Sequence, residues 1–184
     1  MEPIYVKKVR ILGPYDYDLI VSNIEKDYLR TIFEVAFWSG MRYIEIQRLY
    51  NHPEWVMKER RTIHLPEEAT KKVKRKQPER YIYPIPPQLE SILRYFFSGK
   101  KPPSQQSLNN NLKRWAEKSG IHPYRMSSKT TRKSIESWMI AAGVPLNEVC
   151  LRQGHDSLTS MNHYQGLPFT DAEKSEIKKR LSWI

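Results

Sequence analysis

The sequence GHDSLTSMNHY, residues 154–164, contains the most informative spacing in this chain, because His155 is followed nine residues later by Tyr164. A tyrosine phenol can attack as a nucleophile, and an imidazole can take part in the proton transfer that this attack requires. Taken alone, Tyr164 is one of 11 tyrosines and reads as an amphipathic core residue. His163 is an alternative partner of the nucleophile. The interval becomes informative together with the cations that precede it.

Two earlier motifs supply those cations. The sequence SGMRYIE, residues 39–45, places Arg42 just beyond a glycine that ends a predicted helix, and KTTR, residues 129–132, contains Lys129 and Arg132. An arginine fork binds two phosphate oxygens at once and neutralises the charge that grows on them during reaction. Lys129 and Arg132 stand at a predicted helix start, where cations oppose the helix dipole, and this favours a phosphate-binding role over a solvated helix face. Such groups can break a DNA phosphodiester without a metal.

The composition favours a polyanionic partner. The chain has 184 residues, a formal net charge of +11 and a pI of about 9.7. Lysines and arginines in such excess release the counterions condensed on nucleic-acid phosphates, although a merely basic soluble protein is the alternative. The chain contains one cysteine, which excludes an intramolecular disulfide, and it has no apolar run of the roughly 18 residues that a membrane span needs. We expect a cytoplasmic protein, in the host cytoplasm if it is viral, with no membrane partner.

The sequence offers little to bind a metal or a nucleotide. His155 and His163 could in principle share a metal with Cys150, but their spacing matches no zinc site. The seven glycines are isolated, which argues against a Gly-rich phosphate loop, and the carboxylates form no evident cluster for two metal ions. We therefore expect neither cofactor nor metal.

Apolar periodicity and capping signals predict a fold of the α+β class that is mainly α. A capping box at Ser22 and Glu25 is expected to open the first helix, and glycines end several others. The predicted helices cover residues 22–38, 43–49, 87–97, 108–119, 129–142 and 146–153, with a short helix at Tyr164. A second capping box, Thr170 to Glu173, opens a terminal helix. The aromatics expected in the core at helical spacing are Trp38, Tyr95, Phe96, Phe97, Trp115 and Trp138.

A small antiparallel sheet of three strands interrupts the helices. Residues 55–57, 62–65 and 81–83 are β-branched, aromatic or alternating, which is typical of short strands. The basic run 71–76 lies between the second and third strands as a hairpin tip or loop, and 102–106 is the expected flexible loop. We divide the chain into an N-terminal extension or linker remnant (1–21), a helical domain with the small sheet (22–169) and a C-terminal helical tail (170–184).

With these motifs placed, residues 24–166 resemble the catalytic domain of the tyrosine recombinases, the phage integrase family. Residues 39–45 resemble the first arginine box, with Glu45 three residues after the arginine. Lys129 and Arg132 resemble the second box, where many relatives have histidine in place of lysine; the lysine is a departure associated with archaeal and some viral members. The sequence from Leu151 to His155, with the tyrosine nine residues later, resembles the third box.

The resemblance implies a role for each motif residue. Tyr164 is expected to attack the scissile phosphate, Arg42 and Arg132 to hold its nonbridging oxygens, and Lys129 and His155 to hydrogen-bond the phosphate or relay a proton. Glu45 is expected to orient an arginine rather than react.

A lysine of the hairpin is expected to protonate the leaving 5′-oxygen. Lys74 is the first assignment by its distance from the strand that follows, and Lys72 and Lys76 are the alternatives. We expect Lys71, Arg75 and Arg80 to contact the DNA backbone.

The function implied is that of a site-specific DNA recombinase or integrase which acts on double-stranded attachment sites through a 3′-phosphotyrosine, as a homo-oligomer that is expected to be a tetramer. A type IB topoisomerase and a non-catalytic basic DNA-binding protein are the alternatives. Relatives usually carry an N-terminal DNA-clamping domain, so the chain would be a catalytic fragment or the product of a gene split by integration. The tail is expected to dock on a neighbouring subunit, or else on its own core.

Overall fold

The computed structural model describes residues 2–70, 79–155, 164 and 166–184. Its strands are β1 (Ile4–Val6), β2 (Val9–Ile11), β3 (Val56–Met57), β4 (Thr62–Leu65) and β5 (Arg80–Ile82). Its α-helices are α1 (Pro14–Ser22), α2 (Asp27–Ser39), α3 (Tyr43–Leu49), α4 (Pro87–Ser98), α5 (Gln105–Lys118), α6 (Lys129–Ala142), α7 (Leu146–Gln153) and α8 (Asp171–Arg180). The mainly helical α+β class and the small antiparallel sheet predicted from the sequence are confirmed.

The segment expected to be an extension or linker remnant, residues 1–21, contains two strands and a helix, which corrects that expectation. β1 pairs antiparallel with β2, with Ile4 opposite Ile11, and Leu12 and Ile20 are fully buried. The backbone N–H of Leu12 donates to the Ser134 hydroxyl at 2.9 Å. Short strands of three residues show too little periodicity to be recognised in a sequence, whereas in the folded chain β1 pairs with β2 and β2 packs against α6.

The first predicted helix begins later than expected. Ser22 ends α1 instead of capping the next helix, and α2 starts at Asp27. The predicted apolar stripe of α2 is nevertheless buried, and it packs against α4 and α6. Gly40 ends the helix with a left-handed φ of 66°, a conformation that favours glycine because it has no Cβ.

α6 occupies the centre of the molecule. It contacts β2, α2, α7 and α8, and most of its residues are buried. Trp138 is fully buried, packs edge-on against Phe37 with the ring centroids 4.8 Å apart, and donates its indole N–H to the Leu12 carbonyl at 2.9 Å. Because α6 also begins with the motif KTTR, the core packing holds these cations in place.

The small sheet agrees closely with the prediction. β4 pairs antiparallel with both β3 and β5, and Ile63 lies opposite Val56 on one side and Ile82 on the other. The predicted helices from α3 to α7 are found within three residues of their expected ends. The prediction of a loop at 102–106 is wrong for its last two residues, because α5 begins at Gln105 after the N-cap Ser104.

The aromatic core prediction holds for most of its members. Trp38, Phe96, Trp115 and Trp138 are buried, and Phe97 packs partly buried against the core. The prediction is wrong for Tyr95, which is 71% exposed. No helix within the described ranges is both long and apolar enough for a membrane crossing.

The C-terminal helix packs on its own chain, the alternative that the sequence leaves open beside docking on a neighbouring subunit. The capping box of Thr170 and Glu173 is present as predicted, and Ile177 and Leu181 are buried against the chain's own core. Arg180 forms two hydrogen bonds of 2.8 Å with the Asp18 carboxylate in α1. These contacts satisfy the apolar end of the helix without a second protomer.

Candidate active site

Four predicted site residues line one groove of about 430 Å³, although they come from distant parts of the sequence. Arg42 lies at the start of α3, Lys129 and Arg132 lie in the first turn of α6, and His155 follows α7. The groove therefore brings together all three sequence motifs.

Arg42 reaches this groove because the chain turns sharply after α2. Its backbone N–H donates to Glu45 Oε2 at 2.7 Å, and its Nη1 donates to Oε1 of the same carboxylate at 2.9 Å. The other terminal nitrogen, Nη2, donates to the Gly154 carbonyl at 3.2 Å. Burial, and then the nearby charge of Arg132, lower the pKa of Arg42 to about 10. The guanidinium remains protonated at neutral pH. Because the charge of Arg132 is nearby, an anion bound in the groove would stabilise the charged form of Arg42.

Glu45 is completely buried and organises two arginines. In addition to Arg42, it binds Arg80 through a bidentate pair, with Nη1 to Oε1 at 2.8 Å and Nη2 to Oε2 at 2.6 Å. Burial opposes ionisation of Glu45, but the hydrogen bonds and charge of Arg80, with that of Arg42, outweigh burial and lower the pKa of Glu45 to about 2. These are the contacts expected of a residue that orients Arg42.

Arg80 does not take the DNA-backbone position expected for it. The residue is only 3% exposed, its fork is occupied by Glu45, and its Nε donates to the Arg152 carbonyl at 3.1 Å. From the sequence alone, an arginine next to a basic run is expected to lie on the surface. The structure instead uses it as a buried partner for Glu45, since a buried carboxylate requires compensation.

Arg132 links the three motifs through backbone carbonyls. Its Nη1 donates to the Gly40 carbonyl at 2.8 Å, and its Nη2 donates to the Gln153 carbonyl. Gly154, next in the chain, has a φ of 63°, and a Cβ there would lie 2.9 Å from Cδ of Arg80. Gly154 of the third motif therefore allows a close approach of the Arg80 side chain, and Gly40 of the first motif allows one of the Gln153 side chain.

Tyr164 lies beside this cluster, buried to 2% exposure. Its hydroxyl donates to Glu136 Oε2 and accepts a hydrogen bond of 2.9 Å from Lys133 Nζ. The other oxygen of Glu136 lies 2.8 Å from His155 Nε2 and 3.1 Å from Arg132 Nε. Glu136 thus connects the tyrosine, the histidine and the second arginine.

Glu136 and Lys133 were missed by the sequence analysis. Glu136 stands four residues after Arg132, a spacing that places both side chains on one face of a helix. The neighbouring residues Ile135, Trp138 and Met139 are buried, and a carboxylate on a buried helix face needs a cationic partner. The spacing from Arg132 is therefore the sequence feature that could have indicated a contact of Glu136 with Arg132.

The electrostatics of this network keep Glu136 ionised and Tyr164 protonated. Burial opposes ionisation of Glu136, but Arg132 and the hydrogen bond from His155 outweigh it and lower its pKa to about 2. Burial, followed by the charge of Glu136, raises the pKa of Tyr164 well above its usual value. Burial lowers the pKa of Lys133, against the opposing effect of Glu136.

The remaining predicted site residues are placed as follows. Lys129 is exposed at the groove. Lys74, its alternatives Lys72 and Lys76, the expected backbone contacts Lys71 and Arg75, and His163 lie outside the described residues. Among the residues that the structure describes, no three His, Cys, Asp or Glu side chains are grouped to hold a metal ion.

The comparison with protein families agrees with this arrangement of motifs. No curated protein matches the chain. The model of the phage integrase family matches residues 11–170, which is most of the chain and includes Arg42, Arg132, His155 and Tyr164. The chain therefore belongs to the phage integrase family, that of the tyrosine recombinases.

Proposed function

We propose that this chain catalyses site-specific DNA recombination or integration by forming a covalent bond between Tyr164 and DNA. One observation carries the proposal: two arginines, Arg42 and Arg132, meet at one groove with Lys129 and His155, and Glu136 connects this cluster to a tyrosine. Membership of the family supports the same activity.

The proposed reaction is a transesterification at the scissile phosphate. The Tyr164 oxygen forms a bond to phosphorus, and the bond from phosphorus to the 5′-oxygen breaks, so that the 3′ end of the DNA remains attached to the tyrosine. The leaving 5′-oxygen takes a proton, and the tyrosine loses one. Attack by the 5′-hydroxyl of a partner strand reverses these steps. The phosphodiester energy is retained in the intermediate, so the reaction requires no nucleotide cofactor.

The charges at the groove suit this reaction. Arg42 and Arg132 would bind the nonbridging oxygens, whose charge increases in the transition state. Lys129 and His155 would hydrogen-bond the phosphate or relay the tyrosine proton. We assign protonation of the leaving oxygen to Lys74, with Lys72 and Lys76 as alternatives. The net charge of +11 favours double-stranded DNA as the partner, and strand exchange requires several active sites, which we propose are assembled as a tetramer on attachment-site DNA.

Covalent capture tests this proposal without knowledge of the target sequence. The protein is incubated in EDTA with nicked duplexes whose central base pairs are randomised, so that cleavage releases a short strand and traps the adduct. We expect a complex that survives denaturation, and peptide mapping should locate the DNA on Tyr164. Tyr164→Phe should abolish the adduct while DNA affinity stays within a few-fold of wild type, because only the nucleophilic oxygen is removed.

Tyr83→Phe is the matched control, since Tyr83 is exposed and outside the groove. An adduct that persists in Tyr164→Phe would show that another residue is the nucleophile. Failure of wild type to form any adduct would favour a DNA-binding protein without chemistry, and relaxation of supercoiled plasmid without strand exchange would favour a topoisomerase.

A further inference from the structure

The hydroxyl of Tyr164 stands between two charged side chains of α6 that the proposed mechanism does not use. Glu136 accepts a hydrogen bond from the hydroxyl, and Lys133 donates to the same oxygen at 2.9 Å. The ammonium of Lys133 also lies over the tyrosine ring, 5.1 Å from its centroid. A carboxylate at this distance stabilises a phenol and repels a phenolate, whereas an ammonium does the opposite.

Burial decides which of these two effects dominates. Glu136 is 1% exposed and Tyr164 is 2% exposed, so the repulsion between carboxylate and phenolate would be only weakly screened. Lys133 is less deeply buried than either partner, and burial already disfavours its charged form. The carboxylate therefore has the stronger influence on the hydroxyl.

Glu136 is also held in place from the opposite side. Its Oε1 binds His155 Nε2 at 2.8 Å and Arg132 Nε at 3.1 Å, while its Oε2 binds the tyrosine. His155 and Arg132 are the same groups that would bind the scissile phosphate. A phosphate in the groove would compete with Glu136 for them, which couples occupancy of the groove to the state of the tyrosine.

From this geometry we propose that Glu136 is a positioning residue that keeps Tyr164 buried and un-ionised while no DNA is bound. The inference rests on the proposed function in one respect, because it takes Tyr164 to be the nucleophile. It adds that the chain contains a device which withholds the nucleophile until a phosphate occupies the groove. A free phenolate near bound nucleic acid would otherwise react before the correct site is assembled.

The charged groups that act on this hydroxyl are all identified among the described residues. Lys133 and Arg132 face it from α6, together with Glu136, and His155 acts through the carboxylate. Lys7, in the turn between β1 and β2, and Lys129 act on Lys133. Among the described residues, removing the Glu136 charge leaves Lys133 and Arg132 as the charged groups that act on the tyrosine, so ionisation should then become easier.

The test follows the ionisation of Tyr164 directly, in the absence of DNA. Protein labelled with ¹³C at tyrosine Cζ is titrated to about pH 11 by NMR, and the Tyr164 signal is identified by its loss in Tyr164→Phe. Tyr164 in wild type should not ionise in this range, because burial and then the charge of Glu136 raise its pKa. In Glu136→Gln, which keeps the shape of the side chain, the Tyr164 signal should begin to titrate at lower pH than in wild type, because the carboxylate that repels the phenolate is removed.

Two further variants make the result specific. Glu148→Gln removes an exposed carboxylate from α7 and should leave the Tyr164 signal as in wild type. Adding Lys133→Met to Glu136→Gln should move the Tyr164 midpoint upward again, because it removes the ammonium that favours the phenolate. If Glu136→Gln does not fold, the wild-type titration still decides, since a Tyr164 signal that titrates within the measured pH range overturns the proposal.

The cleavage assay separates this inference from the proposed function. The pH profile of adduct formation should move to lower pH in Glu136→Gln than in wild type, a change that a purely structural defect would not produce. An unshifted Tyr164 signal in Glu136→Gln contradicts the positioning role even if wild type cleaves DNA. A shifted signal in a protein that forms no adduct would support the positioning role and contradict the recombinase proposal.

Discussion

Arg132 shows how one residue joins segments that are far apart in the chain. It donates to the carbonyl of Gly40, 92 positions earlier, and to that of Gln153, 21 positions later. Both contacts come from one planar guanidinium, while its Nε contacts Glu136. A planar fork can make these contacts simultaneously because its nitrogens point in fixed directions. Position 132 therefore requires the planar guanidinium of arginine, because a positive charge alone could not make these three contacts.

This geometry predicts a poor rescue by lysine. We expect Arg132→Ala to lower the rate of adduct formation by about 10²-fold or more, the scale of losing one donor to a developing oxyanion. Arg132→Lys should recover little of that loss, since an ammonium cannot reproduce the fork. Single-turnover cleavage measures both rates, and Arg114→Lys on the exposed side of α5 is the matched control. Wild-type rates in Arg132→Lys would mean that the arginine contributes charge alone.

At the scale of elements, α8 completes the core that supports the site. Ile177 and Leu181 are buried against the domain, and the helix packs on α6 and α1. Because α6 carries Lys129, Arg132, Lys133 and Glu136, the packing of α8 on one face stabilises the helix that presents the groove-lining side chains on another. The C-terminal helix is thus part of the fold of its own chain.

This packing predicts that Ile177→Ala destabilises the isolated protein. A fully buried isoleucine costs about 2–5 kcal/mol when truncated to alanine, and we expect a corresponding loss in the free energy of unfolding measured by urea denaturation. Lys178→Ala, next to it and exposed, should change that free energy by less than about 0.5 kcal/mol. If Ile177→Ala were neutral, the helix would not be part of the monomer's core in solution, and docking on a neighbour would again be the better explanation.

At the scale of the whole molecule, the site is built around two buried carboxylates rather than on exposed charge. Glu45 holds Arg42 and Arg80, and Glu136 holds Arg132 and His155. Each carboxylate joins elements that are distant in sequence, so the ion pairs couple the stability of the fold to the integrity of the groove. Breaking such a pair leaves an uncompensated buried charge, which is strongly destabilising.

These pairs predict a loss of stability in acid. The pKa values of Glu45 and Glu136 are about 2 in the folded protein, below the value of about 4.3 in an unfolded chain. Their contribution is therefore fully present above about pH 4.3 and is lost as the pH falls towards 2. Urea denaturation at pH 7, 4, 3 and 2 should show this decline, and Glu45→Gln should be less stable at pH 7 with a weaker decline below pH 4.

Glu117→Gln is the control, because its carboxylate is exposed on α5; it should follow the wild-type curve. An equal decline in Glu45→Gln and wild type would show that Glu45 does not bind its arginines as the structure has them.

The sequence by itself determined the helices α3, α6 and α7, the capping box of α8 and the family motifs around Arg42, Arg132 and His155. Those features depend on hydrogen bonds and apolar periodicity within a few residues, so they are visible locally. These motifs identified Arg42 and Arg132 as residues of one site, and both arginines line the same groove.

Only the tertiary structure decided the contacts of Glu136, Lys133 and Arg80, the packing of residues 4–22 into the fold and the packing of α8. Whether a charged side chain lies on the surface or is buried beside a partner depends on residues far away in the sequence. The guanidinium of Arg80 binds Glu45, 35 positions earlier, and Glu136 binds the hydroxyl of Tyr164, 28 positions later. The free energy of burying a charge is set by these long-range partners. No local pattern reports them, and for this reason the contact between Glu136 and Tyr164 is visible only in the fold.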